Sequence, residues 1–266
     1  MAVSTYVDKV YQTSGLRAYW RFEGNTQDSF FWGYHGTQTG LTWGHGSALL
    51  DEGQSAYFNG SGAHVTLGDI FTFPNKDPFT IEAWCYPVAD PASGYMAIIS
   101  KEDLGRSPDC GWSFHVDNAN NRWGFSRYDT NPVGYSWVFS GNNTVSTTGW
   151  TYVVATYDGT NLRLYINGSL AGTTYANYTA RTSPQGVTMG KESGAGYWNG
   201  FLDEIAIYNR ALSTAEVADH YASRLVHQTN TFLTLSDADV LNVPELLTDP
   251  YFWNALGNTI SIWVLS

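Results

Sequence analysis

The sequence Gly200-Phe-Leu-Asp-Glu-Ile-Ala-Ile-Tyr-Asn-Arg-Ala-Leu-Ser213 decides the fold of this chain, because it joins a β-strand directly to a helix start. Successive side chains of a strand point to opposite faces of its sheet. An acidic pair, Asp203-Glu204, interrupts the apolar strand. Strict alternation predicts one face with Phe201, Asp203, Ile205 and Ile207, and an opposite face with Leu202, Glu204, Ala206 and Tyr208.

The helix start lies at Ser213. Ser213 and Glu216 have the S-x-x-E spacing of a capping box, in which the two side chains and the backbone amides exchange hydrogen bonds. Leu212 and Val217 are placed to form the hydrophobic staple that often accompanies it. We therefore predict one short C-terminal helix after the strand.

Bulk composition narrows the range of partners. The formal net charge is −11, which disfavours nucleic acid and anionic membranes because both require a footprint of Lys and Arg. Aromatic residues make up 16% of the chain, with 11 Trp and 18 Tyr, more than a core alone requires. This composition is compatible with a neutral glycan, a cation or a protein partner.

Short β-prone segments recur at intervals of about a dozen residues, separated by turn dipeptides. Asp158-Gly159 is a hairpin signal, and Asn167-Gly168 marks the next tight turn. We predict an all-β fold, an antiparallel two-sheet jelly-roll β-sandwich over residues 15–224. A lead-in segment, residues 1–14, precedes it and contains a short helix around Tyr6–Tyr11.

Residues 225–266 form a C-terminal extension of different character. This segment contains no Lys or Arg and ends in the β-prone run Asn258–Leu265. An apolar terminal strand is an edge that needs to be covered. Two interpretations remain open: the extension packs back on the sandwich as a strand, or it is a docking or assembly arm that binds a protein scaffold or another copy of the chain.

The N-terminus lacks the basic and apolar regions of a signal peptide, and no apolar run is long enough to predict a membrane span. We expect a soluble chain that stays in the cytosol, a mature fragment, or a protein released with a virion by lysis. Cys85 and Cys110 are too few for a disulfide framework. They are expected to be free, buried thiols, with a single bridge as the alternative.

Several motifs occur in a fixed order along residues 5–224: Ala18-Tyr-Trp-Arg-Phe-Glu23, Phe79-Thr-Ile-Glu-Ala-Trp84, Gly149-Trp-Thr-Tyr-Val-Val-Ala-Thr-Tyr-Asp-Gly159, Leu164-Tyr-Ile-Asn-Gly168 and Gly200–Ser213. Together they resemble the concanavalin A-like lectin/glucanase superfamily, in its laminin-G-like/pentraxin-like branch. The resemblance implies a jelly-roll domain. It implies less about function, because this fold carries glycosidases, lectins and structural modules alike.

The resemblance also implies a structural Ca²⁺ site. In this interpretation the loop acid Asp28 and the strand acid Asp203 meet near the first strand, and carbonyl oxygens of residues 24–36 complete an oxygen-rich ligand set. A buried Asp203 otherwise needs hydrogen-bond donors or an arginine such as Arg17 or Arg21. Both interpretations are open at this stage.

No catalytic residue is predicted. Glucanases of the superfamily have an E-x-D-x-E strand, which this chain lacks, and glycoside hydrolysis requires two carboxylates across a cleft. The candidate glutamates Glu82, Glu102, Glu192 and Glu204 form no doublet on one strand. We therefore predict that the protein is not an enzyme, with a glycoside hydrolase of the same fold as the alternative.

Aromatic residues in loops are the candidate ligand contacts. Tyr128, Tyr135 and Trp198 lie in segments that mix aromatic rings with polar residues, and such rings stack on the C–H faces of sugars. We predict a non-catalytic, lectin-like module that binds a glycan, such as a cell-surface polysaccharide, or a protein. One version is a virion structural protein, a capsid decoration or tail component, docked through its terminal segments.

Overall fold

A computed structural model describes residues 5–49, 53–88, 94–193 and 196–225, and the structural statements below concern these residues. The interpretations of the C-terminal extension from residue 226 onward lie outside them. The described elements, in chain order, are α1 (Tyr6–Gln12), β1 (Leu16–Trp20), β2 (Thr37–Thr39), β3 (Thr42–Gly46), β4 (Gln54–Asn59), β5 (His64–Gly68), β6 (Phe79–Pro87), β7 (Tyr95–Ser100), β8 (Trp112–Asp117), β9 (Arg122–Tyr128), β10 (Tyr135–Phe139), β11 (Thr151–Tyr157), β12 (Asn161–Ile166), β13 (Ser169–Tyr175), β14 (Val187–Met189), β15 (Asn199–Tyr208) and α2 (Thr214–Ser223).

The strands form two sheets. Sheet A has the order β13-β12-β11-β6-β15-β4-β3, and β1 also pairs with β15. Sheet B has the order β10-β9-β8-β7-β14-β5-β2. The pairings between described strands are antiparallel. The predicted antiparallel two-sheet sandwich with a C-terminal helix is therefore confirmed.

The main core lies between the two sheets, where their apolar faces meet. Trp20 and Phe58 enter it from sheet A, and Phe114 and Trp123 enter it from sheet B. Cys85 belongs to this core, and Cys110 is also buried; both thiols are free, as predicted.

The two helices cover part of the outer face of sheet A. Tyr6 of α1 and Val217 of α2 pack there with Trp84 and Tyr208 in a second apolar cluster. Both helices start with a capping box, and that of α2 is formed by Ser213 and Glu216 as predicted. In the described part of the chain, no helix is long and apolar enough to cross a membrane.

Strand β15 contains a β-bulge that the sequence did not indicate. Its register on β6 shifts between Asp203 and Ala206, and Glu204 has a φ of 50°. Leu202, Ile205 and Ile207 are therefore in the core, whereas Ala206 and Tyr208 belong to the helix-covered cluster. The prediction that Phe201 shares a core face with Ile205 and Ile207 is wrong, because the inserted residue reverses the alternation.

Candidate ligand-binding face

The outer face of sheet B is polar and aromatic. Trp112 and Phe114 of β8 enter the core, so Ser113 between them points outward. Ser113 pairs with Ser126 of β9, which in turn pairs with Trp137 of β10. A row of small hydroxyl groups that ends in an indole ring therefore crosses this face.

Glu102 follows β7 and reaches the same row. Its carboxylate accepts a hydrogen bond from Ser126 Oγ at 3.0 Å, and the residue is only 6% exposed. Burial raises the pKa of Glu102 to about 8, and the charge of Glu192 adds to this rise. The Glu102 carboxyl group is therefore largely protonated at neutral pH.

Glu192, in the loop between β14 and β15, lines a cavity of about 260 Å³ with Glu102. Burial raises the pKa of Glu192 to about 7. The neighbouring ammonium group of Lys101 is occupied elsewhere, because its Nζ donates to Asp69 Oδ1 at 2.5 Å and to the Gln185 carbonyl at 2.6 Å. The first cavity thus holds two acids of raised pKa.

A second cavity, of about 310 Å³, lies at the Tyr128 end of β9. The rings of Tyr128 and Tyr135 meet edge-on in its wall, with centroids 6.5 Å apart. Tyr135 is 39% exposed and its ring lies 4.5 Å from that of Trp137. The charged side chains around this cavity are Arg106, Asp109 and Arg181.

The loop between β9 and β10 is fixed by its own hydrogen bonds. The buried Asp129 carboxylate accepts from Ser136 Oγ at 2.6 Å and from the Asn131 amide at 2.9 Å. Gly134 has a φ of 92°, which favours glycine, and its amide donates to the Asn131 carbonyl at 2.7 Å. Arg181 Nη1 donates to the Gly134 carbonyl at 3.2 Å. These contacts hold the tyrosine-lined wall in place.

The two cavities share one electrostatic environment. Burial raises the pKa of Tyr128, and the charges of Glu102, Asp109 and Glu192 raise it further. Burial also lowers the pKa of His115, on the same face, to about 4. At neutral pH the face therefore combines aromatic rings with buried neutral groups and the partly ionised Glu192. Arg106 and Arg181 lie at the Tyr128 end, and the ion pair of Arg122 with Asp117 lies at the other end of β9.

The structure brings two of the three predicted ligand contacts together. Tyr128 and Tyr135 pair directly across β9 and β10. Trp198 is instead 0% exposed in the core and stacks on Trp123, with ring centroids 6.3 Å apart. The assignment of Trp198 as a ligand contact is therefore wrong: the amide of Trp198 bonds to the Gly190 carbonyl at 2.9 Å, and its ring fills the space between the sheets.

Asp28 is bonded to backbone amides. Its Oδ1 accepts from Tyr19 N and Phe30 N, each at 2.9 Å, and its Oδ2 accepts from Tyr34 N at 3.0 Å. Amide donors aimed at both oxygens fix the 28–34 loop against β1. Ca²⁺ is bound by oxygen atoms. The groups that surround the Asp28 carboxylate are N–H donors, which cannot bind the cation.

Asp203 is bonded in a similar way by another segment. Its Oδ2 accepts from Ser47 Oγ at 3.0 Å and from Ala48 N at 2.9 Å, and its Oδ1 accepts from Glu204 N at 2.9 Å. In the part of the chain that the structure describes, no group of three or more His, Cys, Asp or Glu side chains is placed to hold a metal ion. The residues present do not fit the predicted calcium site.

Sequence reasoning missed the pairing of Glu102 with Glu192. The prediction looked for two acids on one strand, whereas these two meet because Ser100 of β7 pairs with Thr188 of β14. Arg106 and Arg181 were also missed, since they reach the second cavity from loops. No local pattern in the sequence indicates these juxtapositions.

A two-sheet antiparallel sandwich with a polar, aromatic outer face is the architecture of a lectin-like domain. A sequence profile of the concanavalin A-like lectin/glucanases superfamily matches residues 59–218. The chain belongs to this superfamily, as its motifs predicted. A search of curated protein sequences gives no significant match.

Three solved structures have the same fold. Domain 4 of AbnA, a GH43 extracellular arabinanase from Geobacillus stearothermophilus solved in complex with arabinotriose, has a TM-score of 0.60 at 19% identity over 77% of this chain and 98% of that domain. The binding domain of Paraclostridial Mosquitocidal Protein 1 has a TM-score of 0.62 at 18% identity over 79% of this chain. The botulinum neurotoxin serotype G binding domain has a TM-score of 0.57 at 18% identity over 77% of this chain. The chain spans about half the length of the two toxin domains, 52% and 50% respectively.

Proposed function

We propose that this protein is a non-catalytic binding module that holds a neutral glycan on the outer face of sheet B. The observation that carries the proposal is the cavity of about 310 Å³ in which Tyr128 and Tyr135 form an aromatic wall beside Arg106, Asp109 and Arg181. Aromatic rings stack on sugar C–H faces, while charged side chains at the rim bind sugar hydroxyl groups.

The comparisons support a glycan as the first class of ligand to test. The arabinanase domain with the same fold was solved with arabinotriose bound. The two toxin domains are binding domains by description, so a protein or receptor surface is the alternative partner. At 18–19% identity these similarities support the fold, and the ligand has to be identified by experiment.

Titration calorimetry with arabinotriose, followed by an array of neutral oligosaccharides, tests the proposal. We expect Tyr135→Ala to weaken binding roughly tenfold, which corresponds to about 1.4 kcal/mol. Tyr175→Ala is the matched control, because Tyr175 is an exposed ring on β13 of the other sheet. Binding of no oligosaccharide, or equal binding by the two variants, would exclude this face as the glycan site.

A second candidate, a glycoside hydrolase, is favoured by one observation. Glu102 and Glu192 line one cavity, and their pKa values are raised to about 8 and 7. Hydrolysis requires one carboxyl group that stays protonated and one that is ionised. Near neutral pH Glu102 is largely protonated and Glu192 is about half ionised, so the pair meets this requirement in part. We favour binding over catalysis because the chain lacks the E-x-D-x-E strand of the superfamily's glucanases. Release of reducing sugar that Glu102→Gln and Glu192→Gln each abolish would reverse this preference.

We also propose that the C-terminal extension is an assembly arm, as in a virion decoration or tail protein. This part of the proposal rests on sequence alone: residues 225–266 contain no Lys or Arg and end in an apolar run. An apolar edge is stabilised by pairing with another chain. The full chain and a variant lacking residues 229–266 should differ in copurification with a particle but not in oligosaccharide binding; equal copurification would contradict the arm.

A further inference from the structure

The outer face of sheet A carries an aromatic surface that has no part in the sheet B site. Phe201 of β15 pairs with Tyr86 of β6 on one side and with Tyr57 of β4 on the other. Trp150, immediately before β11, continues this row next to Tyr86, with ring centroids 5.8 Å apart. His45 of β3 also packs on Phe201, with centroids 4.8 Å apart. We call these five residues the Phe201 platform.

The rings of the Phe201 platform are partly exposed. Helices α1 and α2 cover the neighbouring part of the same face, over Trp84 and Tyr208, and Trp150 of the platform packs against the edge of that cluster. Strands lie about 4.8 Å apart, so a row from Trp150 through Tyr86 and Phe201 to Tyr57 extends over about 14 Å. The row is thus long enough to contact several consecutive sugar rings.

The side chains around the Phe201 platform favour an uncharged ligand. The side chains next to the platform on this face, Thr42 and Asn199, are uncharged and offer hydrogen-bonding groups. Asp203, the following acid on the same face, is fully buried and bonded to Ser47 and Ala48. An aromatic row whose described neighbours Thr42 and Asn199 are uncharged, on a protein of net charge −11, favours a neutral partner over a charged one.

We propose that the Phe201 platform is a second binding site, for an extended neutral polysaccharide chain that lies across the strands. The rings would stack on successive sugar faces, and the flanking hydroxyl, amide and imidazole groups would bind sugar hydroxyls. The site is independent of the sheet B cavity, because the two occupy opposite outer faces of the sandwich. A chain with both sites can crosslink two glycan strands.

Pelleting of the full-length protein with microcrystalline cellulose and with chitin particles tests the proposal. We expect wild-type protein to bind at least one of these polysaccharides and the double variant Tyr57→Ala/Tyr86→Ala to bind at least tenfold more weakly. Tyr57→Phe/Tyr86→Phe keeps both rings and is expected to retain binding. Tyr175→Ala removes an exposed ring outside both sites and is expected to pellet like wild type. The double alanine variant is expected to keep its calorimetric binding of oligosaccharide at the sheet B cavity, which separates the two sites.

Three results would overturn the proposal. The first is no pelleting of wild-type protein with either polysaccharide, or pelleting that the double alanine variant leaves unchanged. The second is concentration-dependent self-association that the double alanine variant abolishes in sedimentation experiments, which would make the platform a contact between copies. The third is a large fall in the melting temperature of the double alanine variant, which would show that the rings are covered within the chain.

Discussion

His220 Nδ1 lies 3.0 Å from Glu82 Oε2 in the layer between the helices and sheet A, and this contact ties α2 to the middle of β6. Tyr208 donates to the other carboxylate oxygen at 2.7 Å, and Tyr152 donates to Oε2. His220 Nε2 lies 2.8 Å from Thr13 Oγ1. The buried Glu82 carboxylate therefore connects β6 to α2, to β11 and to β15. Through His220 it also connects to the end of α1.

Stability should fall as the pH rises above about 6.5. Burial alone would lower the pKa of His220, but the charge and the hydrogen bond of Glu82 outweigh burial and raise it. A base with a raised folded-state pKa stabilises the fold fully below its unfolded pKa and loses this contribution as the pH rises through the folded pKa. Urea unfolding between pH 5 and pH 9 measures the effect.

The matched variant for this prediction is His220→Gln. It keeps a hydrogen-bonding side chain but cannot be protonated, so we expect a loss of about 1–3 kcal/mol near pH 6 and little difference from wild type near pH 9. Equal losses at both pH values would show that the His220 charge contributes nothing to the stability.

Glu102→Gln should stabilise the protein at pH 8 and have little effect at pH 4. Because the folded-state pKa of Glu102 is raised to about 8, stability is lost as the pH rises from the ordinary glutamate pKa towards that value. Glutamine keeps an oxygen that accepts from Ser126 Oγ and carries no charge to bury. We expect a gain of about 1–3 kcal/mol at pH 8 from chemical denaturation.

A second variant tests the coupling within this pair. The Glu192 charge contributes to the raised pKa of Glu102, so Glu192→Gln should lower that pKa. Carbon-detected NMR titration of the side-chain carboxyl groups measures the shift. An unchanged Glu102 titration would mean that burial alone sets its pKa.

Gly111→Ala should cost about 4 kcal/mol or more, or prevent folding. Gly111 has a φ of 95°, and a Cβ there would lie 1.8 Å from the Lys101 carbonyl oxygen. Gly44→Ala is the control, since Gly44 has a φ of 84° but no atom within 4 Å of the added Cβ. It should cost only the backbone strain, about 1–2 kcal/mol. Similar melting temperatures for the two variants would contradict the close approach at Gly111.

Chelation tests the calcium prediction directly. Because amide donors occupy both oxygens of Asp28, we expect EDTA to leave the melting temperature unchanged. Asp28→Asn turns one acceptor into a donor that faces an N–H group, so we expect it to cost about 1–3 kcal/mol with or without calcium. A melting temperature that falls with EDTA and recovers with Ca²⁺ would restore the metal site.

Local patterns predicted the fold well. The Asp158-Gly159 turn joins β11 to β12 as a hairpin, and the capping box of Ser213 and Glu216 starts α2. Strands β2 and β3 were missed because their short, largely exposed sequences lack an apolar alternation. Each of these successes depends on residues that are neighbours in sequence.

The candidate site was less predictable, because it depends on contacts between distant segments. Tyr128 and Tyr135 were identified since one loop carries both rings, whereas Glu102 and Glu192 meet only through the pairing of β7 with β14. Trp198 was misassigned because a loop tryptophan and a core tryptophan have the same sequence context. Side-chain exposure is a property of the folded sandwich.

The bulge in β15 reverses which side chains of the strand face the core, the odd-numbered or the even-numbered ones. Before Glu204 the odd-numbered residues face away from the core, and after it the even-numbered ones do. Because Glu204 is the extra residue, Ile205 and Ile207 stay in the core, while Phe201 lies on the partly exposed aromatic surface and Tyr208 lies under the helices. If Glu204 instead took a place in regular alternation, Ile205 and Ile207 would turn out of the core. Deleting Glu204 would remove the bulge and leave every other side chain of the strand on its present face.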